Sequence, residues 1–315
     1  ADITLVNGTL SNFAGSNKVY TATFTPTTDG TCTISVAQNT FSDASGNNNS
    51  ASNNFTWTFD STRPTMTITS STVSSGDTSN DPIISLTFTS SESTTNFVVG
   101  DITISGGALS DFTGSGTTYT AILTPSGDAT YTISIAENTF TDSAGNNNTA
   151  SNNFTWTLDS TSPTMTITST TVSSSDTSND STINVTFTSN ESTTNFVEGD
   201  ISVTNGSLSN FSGSGTTYTA TLTPTADGTC TVKVLANKFT DSSGNNNSAS
   251  NNFSWTYDST GPTMTITSST VTSGDTTNDT SISLTFTSNE TTTNFAEADI
   301  TLVNGTLSNF AGSNK

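Results

Sequence analysis

The sequence contains no histidine and few of the other residues that most catalytic sites require. Of its 315 residues, two are cysteine and five are lysine or arginine. Without an imidazole base, neither a Ser-His-Asp nor a Cys-His arrangement can form. Pairs of carboxylates are present, but each pair recurs once per repeat of the sequence described below. A catalytic site copied along a chain is far less common than a structural one, so we predict that this protein is not an enzyme.

Positive charge and long apolar runs are also scarce. Twenty-six aspartates and glutamates against five basic residues give a formal net charge of −21 at pH 7. A chain this acidic is repelled by the phosphate backbone of nucleic acids and by anionic lipid surfaces. The sequence also contains no apolar stretch of the length that spans a bilayer. We therefore predict neither a nucleic-acid partner nor membrane insertion of this segment.

What the sequence does have is a period of 99 residues. Trp57, Trp156 and Trp255 keep this step, and so do three prolines of the chain. A fixed period of this kind indicates a tandem array of similar domains. The predicted domains are the C-terminal part of a repeat (1–59), two complete repeats (60–158 and 159–257) and the N-terminal part of a repeat (258–315).

The two ends of the sequence are related to each other. Residues 1–18 return without a change at 298–315, and residues 258–297 followed by 1–59 would make one complete repeat. We therefore expect the chain to be a window of a longer array that begins and ends inside a repeat. In the alternative interpretation, half-domains of neighbouring chains complete one another, and the duplicated 18 residues then compete for one place.

Apolar residues alternate with threonine and serine in short runs, although only 29% of the residues are hydrophobic. A share this low is typical of disordered chains, but alternation with a period of two indicates half-buried strands. About seven such runs occur per repeat, one of them around Leu109 and Phe112, and no helical period is present. Cys32 and Cys230 fall on core positions of these runs, which predicts buried thiols. The fold class predicted is all-β, a tandem array of seven-stranded immunoglobulin-like β-sandwich domains of about 99 residues each.

Acidic residues recur at fixed positions of the repeat, mostly in the loops between strands. In a sandwich of this topology, three loops meet at one end of a domain and two at the other, so the acids of one end face those of the next domain. Oxygen ligands without histidine or cysteine suit calcium, which takes six to eight of them. Asp and Asn also cap turns without any ion, and this alternative stays open. The candidate calcium ligands are Asp60, Glu92, Asp142 and Asn146 at one end, Asp77, Asp81 and Asp128 at the other, and Asp159, Glu191 and Asp241 in the next repeat.

Asparagine is abundant before the last strand of each repeat, in segments such as TDSAGNNNTASNNFTW at 141–156. Two positions of this segment begin an Asn-x-Ser/Thr sequence, the acceptor for N-linked glycans. If the protein is secreted by a cell that glycosylates such sequences, we expect glycans there. The candidate positions are Asn48, Asn54, Asn147, Asn153, Asn246 and Asn252.

Several short motifs resemble a known family. They are Asp-x-x-x-Pro-Thr at 159–164, Phe-Thr-Ser-x-Glu at 187–191, Gly-Asp-Ile at 199–201 and Phe-Thr-Asp-x-x-Gly-Asn at 239–245. With Gly-Thr-Leu-Ser-Asn-Phe at 8–13, they resemble the bacterial immunoglobulin-like repeats of very long secreted adhesins and surface fibres. The resemblance covers essentially the whole chain.

The repeats and the resemblance together imply a structural role outside the cell or at its surface. The leading hypothesis is the semi-rigid shaft of an extracellular filament or surface appendage. The alternative is the stalk of a giant adhesin that attaches a cell to a surface or host. The partners expected are other copies of the protein or neighbouring repeats, together with any glycans that the chain carries.

Overall fold

The computed structural model describes residues 2–312, so Ala1 and residues 313–315 of the first and last predicted domains lie outside it. The chain divides into two compact units. One comprises Ala1–Pro163 with Thr240–Asn246, and the other Thr164–Phe239 with Asn247–Lys315. Among the described residues, no helix has the length and apolar character needed to cross a membrane.

The first unit is built of short strands, because its Ile, Leu, Phe and Met residues alternate with threonine, and β-branched residues fit a pleated surface. One 3₁₀-helix, Val99–Asp101, interrupts the described strands of this unit. The strands are β1 (Ile3–Val6), β2 (Gly8–Ser16), β3 (Val19–Pro26), β4 (Gly30–Val36), β5 (Phe55–Phe59), β6 (Met66–Ser70), β7 (Thr78–Ser79), β8 (Ile84–Thr94), β9 (Ile102–Ile104), β10 (Ala108–Thr124), β11 (Ala129–Ile135) and β12 (Phe154–Leu158).

Residues 60–158 form two sheets with seven strands in all. One sheet has the order β10-β8-β6, and the other has the order β7-β12-β11-β9. Neighbouring strands are antiparallel except for β7, which pairs in parallel with β12 through Thr78 and Ser79. In residues 1–59 the sheets are β1-β4-β5 and β2-β3.

The inward faces of these two sheets share one hydrophobic core. Met66 and Leu86 come from the first sheet and Tyr131 and Trp156 from the second, and each is at most 2% exposed. The indole Nε1 of Trp156 donates to the Ser79 hydroxyl at 3.0 Å, so the one polar atom of this ring is satisfied. The prediction of an all-β, immunoglobulin-like sandwich is confirmed.

Two details of the strand prediction differ from the structure. β7 was not predicted, because a two-residue Thr-Ser strand carries no hydrophobic alternation. The predicted strand around Leu109 and Phe112 is one arm of β10 rather than a separate element. β10 turns back on itself, since Gly114, with a φ of 138°, lies against the backbone of Thr118 and Tyr119. Only glycine fits there, because a Cβ would collide with that backbone.

The second unit repeats this organisation. The strands are β13 (Met165–Ser169), β14 (Thr177–Ser178), β15 (Ile183–Thr193), β16 (Ile201–Thr204), β17 (Gly206–Pro224), β18 (Gly228–Val234), β19 (Phe253–Tyr257), β20 (Met264–Ser268) and β21 (Leu284–Ser288), with 3₁₀-helices at Glu198–Asp200 and Glu297–Asp299. The sheets have the orders β13-β15-β17, β14-β19-β18-β16 and β20-β21. The core of this unit includes Cys230, Val232 and Trp255, and Cys230 and Cys32 are both buried free thiols, as predicted.

Candidate metal centre at the domain end

Three acidic side chains meet at one end of the 60–158 domain. Asp60 precedes β6, Glu92 lies near the end of β8, and Asp142 lies in the loop before β12. An isolated bridge between Thr94 and Asp142 holds that loop against the end of β8. Carboxylate oxygens of the three residues lie within 4.8 Å of one another, and Asp142 is buried. The structure therefore brings together three residues that are distant in the sequence, as the loop topology predicted.

The loop that carries Asp142 is shaped by its own hydrogen bonds. Asp142 Oδ1 accepts from the backbone N–H of Gly145 at 2.7 Å and of Asn146 at 2.9 Å. Its Oδ2 accepts from Asn146 Nδ2 at 3.0 Å. Burial raises the pKa of Asp142, but the hydrogen bonds from Asn146 and Gly145 outweigh it and leave the pKa below its usual value. The carboxylate is thus held in its ionised form.

Glu92 has the opposite electrostatic environment. Burial is the main reason that the pKa of Glu92 lies above its usual value. The negative charges of Asp60 and Asp142 and a hydrogen bond with Asp142 raise this pKa further. Asp29, in the preceding part of the chain, adds to this repulsion. The end of the domain therefore concentrates negative charge, which a bound cation would neutralise.

The residue types of this cluster fit calcium. Calcium prefers carboxylate and carbonyl oxygens, and carboxylates bind it with one or both oxygens. Asp60, Glu92 and Asp142 are of this kind. Asn146 positions the acids, because its Nδ2 donates to Asp142 and, at 3.1 Å, to the carbonyl oxygen of Asp60. Its role as a calcium ligand, which would use the amide Oδ1, stays a prediction.

At the other end of the domain, Asp77 and Asp81 are engaged locally. Asp77 Oδ2 accepts from the backbone N–H of Ser74 at 2.7 Å, and Asp81 Oδ2 accepts from the Ser79 hydroxyl at 2.7 Å. Neither aspartate belongs to a cluster of three acids among residues 2–312. Both carboxylates thus accept hydrogen bonds within their own turns, as the turn-capping alternative predicts, and their role as calcium ligands stays a prediction.

Asp128 binds the segment that leads into the next repeat. Its carboxylate accepts from the backbone N–H of Ser160 at 2.9 Å and from the hydroxyls of Ser160 at 2.7 Å and Thr161 at 2.9 Å. Asp29 accepts the corresponding hydrogen bonds from Ser61 and Thr62. Asp227 accepts them from Ser259 and Thr260. Asp128 thus holds the linker through both carboxylate oxygens, and its role as a calcium ligand stays a prediction.

These linker bonds predict a pH response. The hydroxyl of Thr260, followed by the groups of Ser259, lowers the pKa of Asp227. The bonds stabilise the linker above the ordinary aspartate pKa, and this stabilisation is lost as pH falls through the lowered value. In an NMR titration, we expect the Ser259 amide to shift with a midpoint below the ordinary pKa of about 3.9. An Asp227→Asn variant should remove this transition, and an unchanged titration in that variant would contradict the assignment.

The next set of predicted ligands is divided between the two units. In the first unit, Asp159 Oδ2 accepts from the Ser243 hydroxyl at 2.7 Å. Asp241 Oδ1 accepts from the backbone N–H of Ser243 at 2.8 Å and of Asn245 at 2.9 Å, which reproduces the loop around Asp142. In the second unit, Glu191 Oε1 accepts from Asn190 Nδ2 at 3.1 Å. The loop geometry is therefore a property of the repeated sequence.

The predicted glycan acceptors lie at the surface. Their exposure is compatible with modification, and occupancy remains a prediction. The exposed residues are Asn48, Asn54, Asn147, Asn153, Asn246 and Asn252.

Sequence reasoning missed the asparagine that holds this loop together. Asn148 is fully buried, and its Oδ1 accepts from the backbone N–H groups of Thr139 at 2.8 Å and Phe140 at 3.0 Å. Its Nδ2 donates to the carbonyl oxygens of Ala136 and Thr149, each at 2.8 Å. Asn247 makes the corresponding bonds in the second unit. The only signal in the sequence is that three consecutive asparagines recur in each repeat. The predicted calcium ligand is the first of them and the predicted glycan acceptor is the second.

Comparison with known proteins supports the motif resemblance. The family described as "Bacterial Ig-like domain" matches four consecutive stretches, residues 1–59, 60–158, 159–257 and 258–315. No curated protein matches the chain significantly.

Solved structures similar to the chain include invasin, described as a bacterial integrin-binding protein. It is 17% identical over 84% of this chain and 54% of that chain, with a TM-score of 0.37. InvD of Yersinia pseudotuberculosis is 18% identical over 67% of this chain and 64% of that chain, with a TM-score of 0.29. The chain thus spans less than two thirds of the length of either structure. Because the four family matches together cover the whole sequence, the chain belongs to the bacterial Ig-like domain family.

Proposed function

We propose that this chain is a segment of the stalk of a long protein on the bacterial surface, where its repeats act as semi-rigid spacers. The observation that carries the proposal is that the linker between successive repeats is hydrogen-bonded on both of its sides. A stalk has to keep its terminal, binding part away from the cell, and a linker with fixed backbone contacts resists bending better than a free one.

On the side of the preceding repeat, the linker 60–63 is held by Asp29. The Asp29 carboxylate accepts from the backbone N–H of Ser61 at 2.8 Å and from the hydroxyls of Ser61 at 2.7 Å and Thr62 at 2.5 Å. The hydroxyl of Thr62, followed by the groups of Ser61, lowers the pKa of Asp29, so this carboxylate is charged under physiological conditions.

On the side of the following repeat, the same linker is held by the loop before β12. Asn146 Nδ2 donates to the carbonyl oxygen of Asp60 at 3.1 Å. Arg63 donates from Nε to the carbonyl oxygen of Asn147 at 2.9 Å and from Nη2 to that of Asn148 at 2.6 Å. The loop that carries Asp142 is therefore also the loop that fixes the linker.

Calcium is the second part of this proposal. Asp60 belongs to the linker, Glu92 to β8 and Asp142 to the fixed loop, so an ion held by all three would tie the linker to the body of the domain. Calcium supplies positive charge that removes the repulsion among these carboxylates. The support is the convergence of three oxygen ligands at one domain end, together with the raised pKa of Glu92.

The shaft of a multi-chain filament is the other function that the repeats can serve. A stalk works as a single chain, whereas a filament needs regular lateral association. Negative-stain images and small-angle scattering of the purified chain separate the two. For a stalk, we expect single elongated particles whose length corresponds to roughly 30–40 Å for each repeat, judged from the rise of a strand. Ordered bundles would favour the filament, and compact particles would contradict both.

A further inference from the structure

Strand β6 lies at the edge of its sheet and has a sequence that favours pairing with other strands. In the order β10-β8-β6 it is the last strand, so only one of its sides pairs with another strand of the described residues. A free edge presents backbone N–H and C=O groups that a strand of another chain can bind. Residues 65–71, Thr-Met-Thr-Ile-Thr-Ser-Ser, carry no charge, no glycine and no proline. A segment of this kind pairs readily with its own copies when its edge is open.

The side chain of Asn152 covers the middle of this edge. The backbone N–H of Ile68 donates to Asn152 Oδ1 at 2.8 Å, and Asn152 Nδ2 donates to the carbonyl oxygen of Ile68 at 3.1 Å. A neighbouring antiparallel strand would form the same two bonds, because its residues exchange one N–H and one C=O bond with each hydrogen-bonded partner. One amide side chain therefore takes the place of a strand at the centre of β6.

The segment that carries Asn152 is anchored to both sheets of the sandwich. Ser151 and Ile135, the last residue of β11, exchange two bonds: the N–H of Ile135 donates to Ser151 Oγ at 2.9 Å, and the N–H of Ser151 donates to the carbonyl oxygen of Ile135 at 3.0 Å. Ser151 Oγ also donates to the carbonyl oxygen of Asn152 at 2.8 Å. Beside β6, the N–H of Thr149 donates to the carbonyl oxygen of Pro64 at 2.9 Å. The amide of Asn152 is thus held in place against β6.

The second unit closes its corresponding edge in the same way. Strand β13 has the sequence of β6, Met-Thr-Ile-Thr-Ser, and is also the last strand of its sheet. The N–H of Ile167 donates to Asn251 Oδ1 at 2.7 Å, and Asn251 Nδ2 donates to the carbonyl oxygen of Ile167 at 3.0 Å. Ser250 exchanges two bonds of 2.9 Å with Val234, as Ser151 does with its partner. We call Asn152 and Asn251 the edge asparagines.

The strand that fits an open β6 edge is the same strand of a second copy. If two such strands pair in antiparallel fashion about Ile68, isoleucine lies opposite isoleucine and Thr67 lies opposite Thr69. Cross-strand pairs of these residue types are favourable, and the segment carries no like charges that would face each other. The contact is also self-complementary, as a two-fold interface between identical chains requires.

We propose that the edge asparagines prevent β6 and β13 from pairing with the same strands of a second copy of the chain. Without the amide, the outward N–H and C=O groups of Ile68 can bond only to water or to another strand. The amide satisfies both groups within the domain and leaves nothing for a second chain to bind at this point. The proposal is independent of calcium and of the linkers, and it concerns how chains are kept apart.

The test measures the molecular mass of the whole chain by analytical ultracentrifugation over a range of concentrations. We expect the unmodified chain to keep the mass of one chain. An Asn152→Ala, Asn251→Ala double variant should form dimers and larger assemblies as its concentration rises. Both asparagines are exposed, and the bonds of Ser151 and Ser250 remain, so the variant should keep its fold, which circular dichroism and melting would verify.

The matched control is an Asn153→Ala, Asn252→Ala double variant, made in the same bacterial host without glycosylation. These two asparagines directly follow the edge asparagines and are exposed as well. The control should keep the mass of one chain. An Asn152→Asp, Asn251→Asp variant should do so too, because it still accepts from the Ile68 N–H and places a negative charge at the edge, which opposes strand pairing.

Hydrogen exchange at the Ile68 amide shows whether the edge itself is the contact. In the unmodified chain this amide should exchange slowly at every concentration. In the dilute alanine variant it should exchange roughly tenfold faster, because one hydrogen bond is lost. In the concentrated variant the exchange should become slow again, since a second strand then occupies the edge.

Three results would overturn the proposal. The alanine variant keeps the mass of one chain at every concentration, the control associates as strongly as the alanine variant, or the aspartate variant does. Association of the unmodified chain through the Ile68 edge would overturn it as well. Compact particles of the unmodified chain would count against the stalk and leave this proposal standing, so the two can fail separately.

Discussion

Replacing Asn148 with alanine is expected to lower the free energy of unfolding of the 60–158 domain by about 3 kcal/mol, since each buried polar group left unpaired costs about 1–3 kcal/mol. The amide of Asn148 is the partner of two backbone N–H groups and two backbone carbonyl oxygens. Alanine fills neither role, and the site is closed to water because Asn148 has no exposed surface.

Urea or thermal unfolding measures this effect. Chains of several domains do not unfold in one step, so the change should appear in the transition of one domain while the others keep theirs. Asn147→Ala is the matched control, because Asn147 is the preceding residue of the same loop and is exposed. It should change the free energy of unfolding by less than about 0.5 kcal/mol. Equal losses in both variants would show that the buried amide does not hold the loop.

Calcium is expected to have the other large effect. If the ion binds only the folded domain, a concentration 100 times its dissociation constant raises the free energy of unfolding by about 2.7 kcal/mol. The increase should disappear with a chelator. Magnesium should be a weaker stabiliser, since it demands near-octahedral geometry at shorter distances and gives up its water reluctantly.

Two substitutions connect the calcium response to the proposed ligands. Glu92→Gln replaces one carboxylate of the cluster with a neutral amide. We expect this variant to lose the calcium-dependent increase in the free energy of unfolding of the 60–158 domain. Asp77→Asn is the control, because Asp77 caps its own turn at the other end of the domain. A melting temperature that calcium leaves unchanged in the unmodified chain would refute the calcium proposal. A response lost with Asp77→Asn but kept with Glu92→Gln would place the ion elsewhere.

Local pattern in the sequence was enough to predict the fold class. Alternation such as that of Met66 and Ile68 depends only on the two-residue period of a strand, which every strand shares. The 99-residue period then placed the strands of each repeat in the same order. The loop topology of a sandwich also predicted that Asp60, Glu92 and Asp142 would approach one another, and the structure brings them together.

The roles of the individual polar residues were decided only by the tertiary structure. Asp128 and Asp142 both lie in loops that precede a strand, yet one carboxylate holds a linker and the other belongs to an acidic cluster. Likewise, Asn147 and Asn148 are identical neighbours, and one is exposed while the other is fully buried. Burial of apolar residues follows from short-range pattern, whereas the partner of a polar side chain depends on which groups the fold brings within hydrogen-bond distance. That distance exists only once the chain has folded.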